Sequence, residues 1–114
     1  MQLAAQDYGE AVLITVDEPR IDAAVAVQFK DRVRELAGDA PARVVLDVEK
    51  VKFIDSSGLG AVVAAMKQLG PDRRLELAGL TTTVQKVFHL TRMDTVFTIH
   101  QDAGAAVAGL AHVP

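Results

Sequence analysis

Six consecutive residues, Asp55-Ser56-Ser57-Gly58-Leu59-Gly60, concentrate the chemistry this sequence offers. They follow the apolar pair Phe53-Ile54 and precede a segment in which Leu59, Val62, Val63, Met66 and Leu69 recur at helical spacing, so the turn joins the exit of a strand to the entry of a helix. The first N–H groups of a helix lack intrahelical partners and the helix dipole is positive there, which favours oxygen acceptors and anions. Ser56 or Ser57 therefore stands as the N-cap or as a first-turn residue, and replacing a capping hydroxyl by Ala costs about 1 kcal/mol. Gly58 and Gly60 each weaken a helix by about 1 kcal/mol relative to Ala. In exchange they clear the first turn of side chains, so that another backbone or a nucleotide phosphate can approach. A structural cap accounts for the serines without any reaction, and spacing alone does not separate a cap from a modified hydroxyl.

Other chemistries fit less well. A dinucleotide fingerprint would need a third small residue where Val63 stands, and there is no Gly-Lys-Ser/Thr run for a P-loop. A serine hydrolase would need a Gly-x-Ser-x-Gly elbow, whereas Ser56 lies in Asp-Ser-Ser and His89, His100 and His112 all fall in the last quarter of the chain. The absence of Cys removes disulfides, thiolate metal sites and Cys nucleophiles, and three scattered His do not make a metal site. The expectation is a non-enzymatic chain with no cofactor and no metal. A net charge of -3, with Lys and Arg concentrated no further than pairs such as Arg73-Arg74, gives no field for a polyanion, so nucleic acid is not an expected partner. Met1 to Asp7 lacks the basic region and apolar core of a signal peptide, and no apolar run is long enough to cross a bilayer. A cytoplasmic protein without a membrane partner, monomeric in the absence of an evident apolar patch, is expected.

The elements that position the turn are legible in the hydrophobic pattern. With 114 residues, half of them apolar, the chain fits one domain over residues 1–114. Aromatic residues make up 4% and none is Trp, so the core must come from Val, Leu, Ile and Ala, with Phe29, Phe53, Phe88 and Phe97 as its large pieces. Ala11 to Val16 reads as a strand stopped by Pro19. Val25, Phe29, Val33 and Leu36 mark a first helix, with Asp22 as its N-cap and Gly38 and Pro41 ending it. Val44 to Val48 is nearly continuously apolar, as a central strand covered on both faces should be. Gly70-Pro71 closes the second helix. A strand at Leu75 to Ala78, a helix carrying Val84, Val87, Phe88 and Thr91, a strand at Val96 to Ile99 and an Ala-rich helix from Asp102 to Ala111, weakened by Gly104 and Gly109, complete the chain. Strands alternating with helices indicate βαβ units. The predicted fold class is α/β: a small mixed β-sheet of four to five strands packed against about four helices.

Val44-Val45-Leu46-Asp47-Val48, the pair Phe53-Ile54, the Asp55-to-Gly60 turn and the helix after it together resemble the signature of bacterial anti-sigma factor antagonists, members of the STAS domain family. The resemblance extends to Arg20-Ile21-Asp22, similar to the family's Leu-Asp helix start, and to Val87 through Phe97, similar to its third helix and following strand, so it covers positions 10 to 110. It implies a single STAS domain and a phosphoacceptor at Ser56, the serine directly after the motif aspartate. It places Asp22, Asp55, Ser57, Gly58, Leu59 and Gly60 where the family's partner surface forms. The implied partner is an anti-sigma factor that is also a serine-protein kinase; it would be bound in the unphosphorylated state, and a serine phosphatase would reverse the modification. A constitutive subunit of a signalling scaffold or lipid-transport complex, never phosphorylated, is the alternative the same family allows. The sequence departs from the family pattern at Asp17-Glu18-Pro19-Arg20, in place of a Gly-containing turn, and at Arg92-Met93, where many members have Gly.

Overall fold

Period-two alternation in the central strands separates two faces, and the computed structural model, which describes residues 1–39 and 41–114, shows what each face packs against. Strands β1 (Leu3–Asp7), β2 (Ala11–Val16), β4 (Arg43–Asp47), β6 (Arg74–Ala78) and β7 (Thr98–His100) form one five-stranded sheet in the order β1-β2-β4-β6-β7. β1 is antiparallel to β2 and the other pairs are parallel, so the sheet is mixed. A separate parallel ribbon joins β3 (Arg20–Ile21) to β5 (Phe53–Ile54). Among the described residues, four helices complete the fold: α1 (Ala26–Ala37), α2 (Ser56–Leu69), α3 (Thr82–Leu90) and α4 (Ala103–Ala106).

Val12, Ile14, Val44, Leu46, Leu75 and Leu77 point to one side and bury against Phe29 and Val33 of α1, Ala61, Val62 and Ala65 of α2, and Val84 and Phe88 of α3. Phe97 extends this core with its ring edge-on to Phe88, 6.0 Å between centroids. On the opposite side Leu13, Val45 and Ala78 pack under Ala106 and Val107, with Tyr8 at the margin. Burial on both faces is the reason β4 carries no alternating polar residues over Val44–Leu46.

Several local expectations are corrected. β1 was not evident in the sequence because Ala4, Ala5, Gln6 and Asp7 are exposed and leave no apolar stripe; pairing with β2 makes it a strand. Asp22 does not cap α1. The helix starts at Ala26 with no side-chain cap, and Asp22 Oδ1 instead accepts from Ala24 N at 3.1 Å, closing the turn that leaves β3. Phe53 is not a core residue but 43% exposed, since Ile54 takes the inward position of β5. The strand read at Val96 to Ile99 is shifted to Thr98–His100, because a 3₁₀ turn at Met93–Thr95 carries the chain into Val96 and Phe97. The last helix stops at Ala106, and Gly109 follows with φ at +82°.

Gly38 and Gly70 do end their helices, with φ of 58° and 81°. Arg73 then fastens the end of α1, its guanidinium donating to the carbonyls of Ala37, Gly38 and Pro41. Arg92, where the family resemblance leads one to expect Gly, sits at φ 59° in the left-handed region, a conformation that costs a non-glycine residue roughly 1–2 kcal/mol.

Under α4 a charged cluster is buried. Glu76 is 2% exposed and accepts from Arg43 Nε at 3.0 Å and Nη2 at 2.7 Å, while His100 Nε2 lies 2.7 Å from its Oε1. Arg43 Nη2 also donates to the Ala106 carbonyl at 2.7 Å, which ties α4 to the sheet. Burial pushes the Glu76 carboxyl up, but the hydrogen bonds from Arg43 and His100 outweigh it and hold the group below its ordinary value. A depressed carboxylate contributes stability that is full above its unfolded pKa of about 4.3 and is lost as pH falls through the folded value. The thermal midpoint should therefore drop as the solution is acidified below about pH 4.3, and Glu76→Gln should flatten that slope. An unchanged acid slope in Glu76→Gln would remove Glu76 as its source.

Candidate functional site

The start of α2 is built by Asp55. Its φ of -101° and ψ of -176° are extended, and Oδ1 accepts from Gly58 N at 2.8 Å, so Asp55 rather than either serine is the N-cap. Oδ2 accepts from Ala23 N at 3.2 Å, and Asp55 N donates to the Ile21 carbonyl at 3.4 Å. One carboxylate thus holds the turn after β3 and the first turn of α2 in fixed relation. Ser56 and Ser57 are the first two residues of α2 and both are exposed. Of the two positions the sequence left open for them, they occupy the first turn.

The two glycines have different physical roles. A Cβ on Gly58 would lie 1.9 Å from the Ile21 carbonyl oxygen and 2.6 Å from its carbon, so this glycine exists for the approach of the chain's own backbone and leaves no room for a phosphate. A Cβ on Gly60 would meet nothing within 4 Å. Gly60 is exposed, and no fold contact explains its helix penalty. Leu59 is half-buried against the core, and Asp22 is half-buried beside the turn. Ser56, Ser57 and Gly60 are thus the outward residues of the motif, while Asp55, Gly58 and Leu59 hold it in shape.

An open groove of about 420 Å³ runs along α3, lined by Thr82, Gln85, Lys86, His89, Leu90 and Asp94, and takes no residue from the Asp55–Gly60 turn. The histidines are apart from it too: His89 is 2.9 Å from Asp94, His100 joins Glu76, and His112 lies against Tyr8. Among the described residues no group of three or more His, Cys, Asp or Glu is placed to hold a metal ion. No helix among them is long and apolar enough to cross a membrane.

The family model of the STAS domain matches residues 2–106. The chain belongs to the STAS domain family. The chain is 26% identical over 106 residues to the anti-sigma-F factor antagonist RsfB of Mycobacterium tuberculosis, covering 93% of this chain and 85% of that protein. The fold matches an anti-sigma factor antagonist from Mycobacterium paratuberculosis with a TM-score of 0.82 at 21% identity, over 96% of this chain and 92% of that one. It also matches the Bacillus protein SpoIIAA. The TM-score is 0.71 at 20% identity for the unphosphorylated form, over 93% of each chain, and 0.65 at 20% identity for the phosphorylated form, over 93% of this chain and 96% of that one. In this STAS chain Arg20 and Phe53, quoted above for the resemblance and the core, were not among the residues assigned to the partner surface, yet they lie beside the turn. Their signal lies in the register of the β3–β5 ribbon, which pairs Arg20 with Phe53 and is not visible in a linear pattern.

Proposed function

We propose that this protein is an anti-sigma factor antagonist, binding an anti-sigma factor that is also a serine kinase while Ser56 is unmodified and released when Ser56 is phosphorylated. The observation that carries the reading is that Asp55 does the capping, which leaves Ser56 an exposed hydroxyl at a helix start with no structural duty as cap. The likeness to RsfB, and to a SpoIIAA fold known with and without phosphate, supports it.

The catalytic machinery belongs to the partners. The kinase transfers the γ-phosphoryl group of ATP to Ser56 Oγ, forming the O–P bond as the β,γ-phosphoanhydride breaks and ADP leaves, and the hydroxyl proton passes to a base or water. A serine phosphatase hydrolyses the ester. The phosphate adds about -1.5 to -2 charges at the positive end of α2, where N–H groups and the helix dipole favour an anion, so the fold is retained. The partner instead meets a charged group beside Asp55 on a surface shaped for a hydroxyl. Gly60 supports the same reading, since a bare backbone on the exposed side of the first turns lets another chain approach closely.

Intact mass of the protein isolated from its own cells tests the proposal. A phosphoryl adduct that maps to Ser56, varies with growth condition and disappears in Ser56→Ala is expected. No adduct under any condition would sink the switch in favour of a constitutive assembly subunit.

A further inference from the structure

Three of the four Phe are buried in the main core, and Phe53 alone stands 43% exposed. Ile54 supplies the inward contact of β5, so the Phe53 ring takes no part in the core. The guanidinium carbon of Arg20 lies 5.3 Å from the ring centroid. Its Nη1 is 3.8 Å from Oδ2 of the half-buried Asp22, a loose ion pair in which Arg20 itself stays exposed.

The register pairs Arg20 with Phe53 and Ile21 with Ile54. Because side chains alternate along strands, Ile21 and Ile54 enter the core while Arg20 and Phe53 stay on the outer face. The ribbon runs directly into the Asp55 turn through the Asp55 N to Ile21 O and Ala23 N to Asp55 Oδ2 bonds, so Arg20 and Phe53 lie on the approach to Ser56.

We propose that Arg20 and Phe53 form a second anchor of the partner surface, with Phe53 filling an apolar socket and Arg20 pairing with a carboxylate of the anti-sigma factor. This rests on the reading of Ser56 given above. Arginine and aromatic side chains are the types that dominate binding energy at interface centres, and here they form one preassembled unit. Beside Phe53 the exposed groups are the bases Arg20 and Lys52, so this end of the surface is basic where the end holding Asp22 and Asp55 is acidic, and a carboxylate on the partner finds its complement in Arg20.

The test is titration of the purified anti-sigma factor that phosphorylates Ser56 against wild type, Phe53→Ala, Phe53→Leu, Arg20→Ala and Arg20→Glu. Phe53→Ala and Arg20→Ala are each expected to raise Kd at least tenfold, with melting midpoints close to wild type. Phe53→Leu should recover part of the loss, keeping apolar volume if Phe53→Ala folds poorly. Arg20→Glu should lose most, and its deficit should shrink at high salt. In phosphorylation of Ser56, the variants should raise KM and leave kcat unchanged. If the variants bind like wild type while Ser56→Asp does not, the second anchor is refuted and the Ser56 reading stands. If wild type itself binds no anti-sigma factor, both fall.

Discussion

Ser56→Asp is expected to weaken binding to the anti-sigma factor by at least about a hundredfold while the melting curve stays close to that of wild type. An Asp at the first position of α2 places a negative charge at the positive end of the helix, a favourable interaction of about 0.3–1 kcal/mol for the isolated domain. In the proposed complex the same charge would be buried beside Asp55, whose two oxygens already hold Gly58 N and Ala23 N. An incompletely paired buried charge costs several kcal/mol, and each 1.4 kcal/mol is about tenfold in affinity. Ser56→Ala separates charge from loss of the hydroxyl: because the cap is Asp55, the Ala variant should fold and bind, and should resist phosphorylation. Isothermal titration of the three proteins beside their melting curves decides the matter, and tight binding by Ser56→Asp or by fully phosphorylated protein would contradict the proposal.

The second large effect is on stability. Gly58→Ala introduces a Cβ into the Ile21 carbonyl, and the obstacle is backbone, so neither side can turn away. α2 must shift from β3, disturbing the Asp55 bonds that depend on their spacing. Overpacking of this kind costs about 1–3 kcal/mol, and the loss of a capping geometry adds about 1 kcal/mol. Gly60→Ala, one turn face away and with nothing within 4 Å, should instead stabilise α2 by about 0.5–1 kcal/mol through helix propensity. Denaturant melts of the two variants should move in opposite directions. A Gly58→Ala protein as stable as wild type would show that the β3–α2 contact is not as tight as described.

The opposite signs expected for two glycines in one helical turn show where linear reading stops. Both carry the same propensity penalty, and the sequence offered either a backbone neighbour or a phosphate as the reason for it. Only the fold brings Ile21, distant along the chain, under Gly58 and leaves Gly60 facing outward. The caps follow the same pattern. Ser-Ser before an apolar helix and Asp before another are both good capping types, yet Asp55 takes the first role and Asp22 closes a turn ahead of the second. Capping depends on backbone angles at one residue, and those are set by where the preceding strand is pinned.

By itself, the sequence determined the succession of apolar strands and amphipathic helices, the glycine ends of α1 and α2, the α/β class and the strand-to-helix turn that holds Ser56. Each of these is written in periodicity or in a residue's intrinsic backbone preference, which act over a few neighbours. The tertiary structure alone decided that β1 is a strand, that Phe53 stays in water under Arg20, that Glu76 is buried between Arg43 and His100, and that Gly58 makes room for Ile21. Those outcomes depend on strand register and on contacts between residues far apart in the chain, which local hydrophobic patterns do not encode.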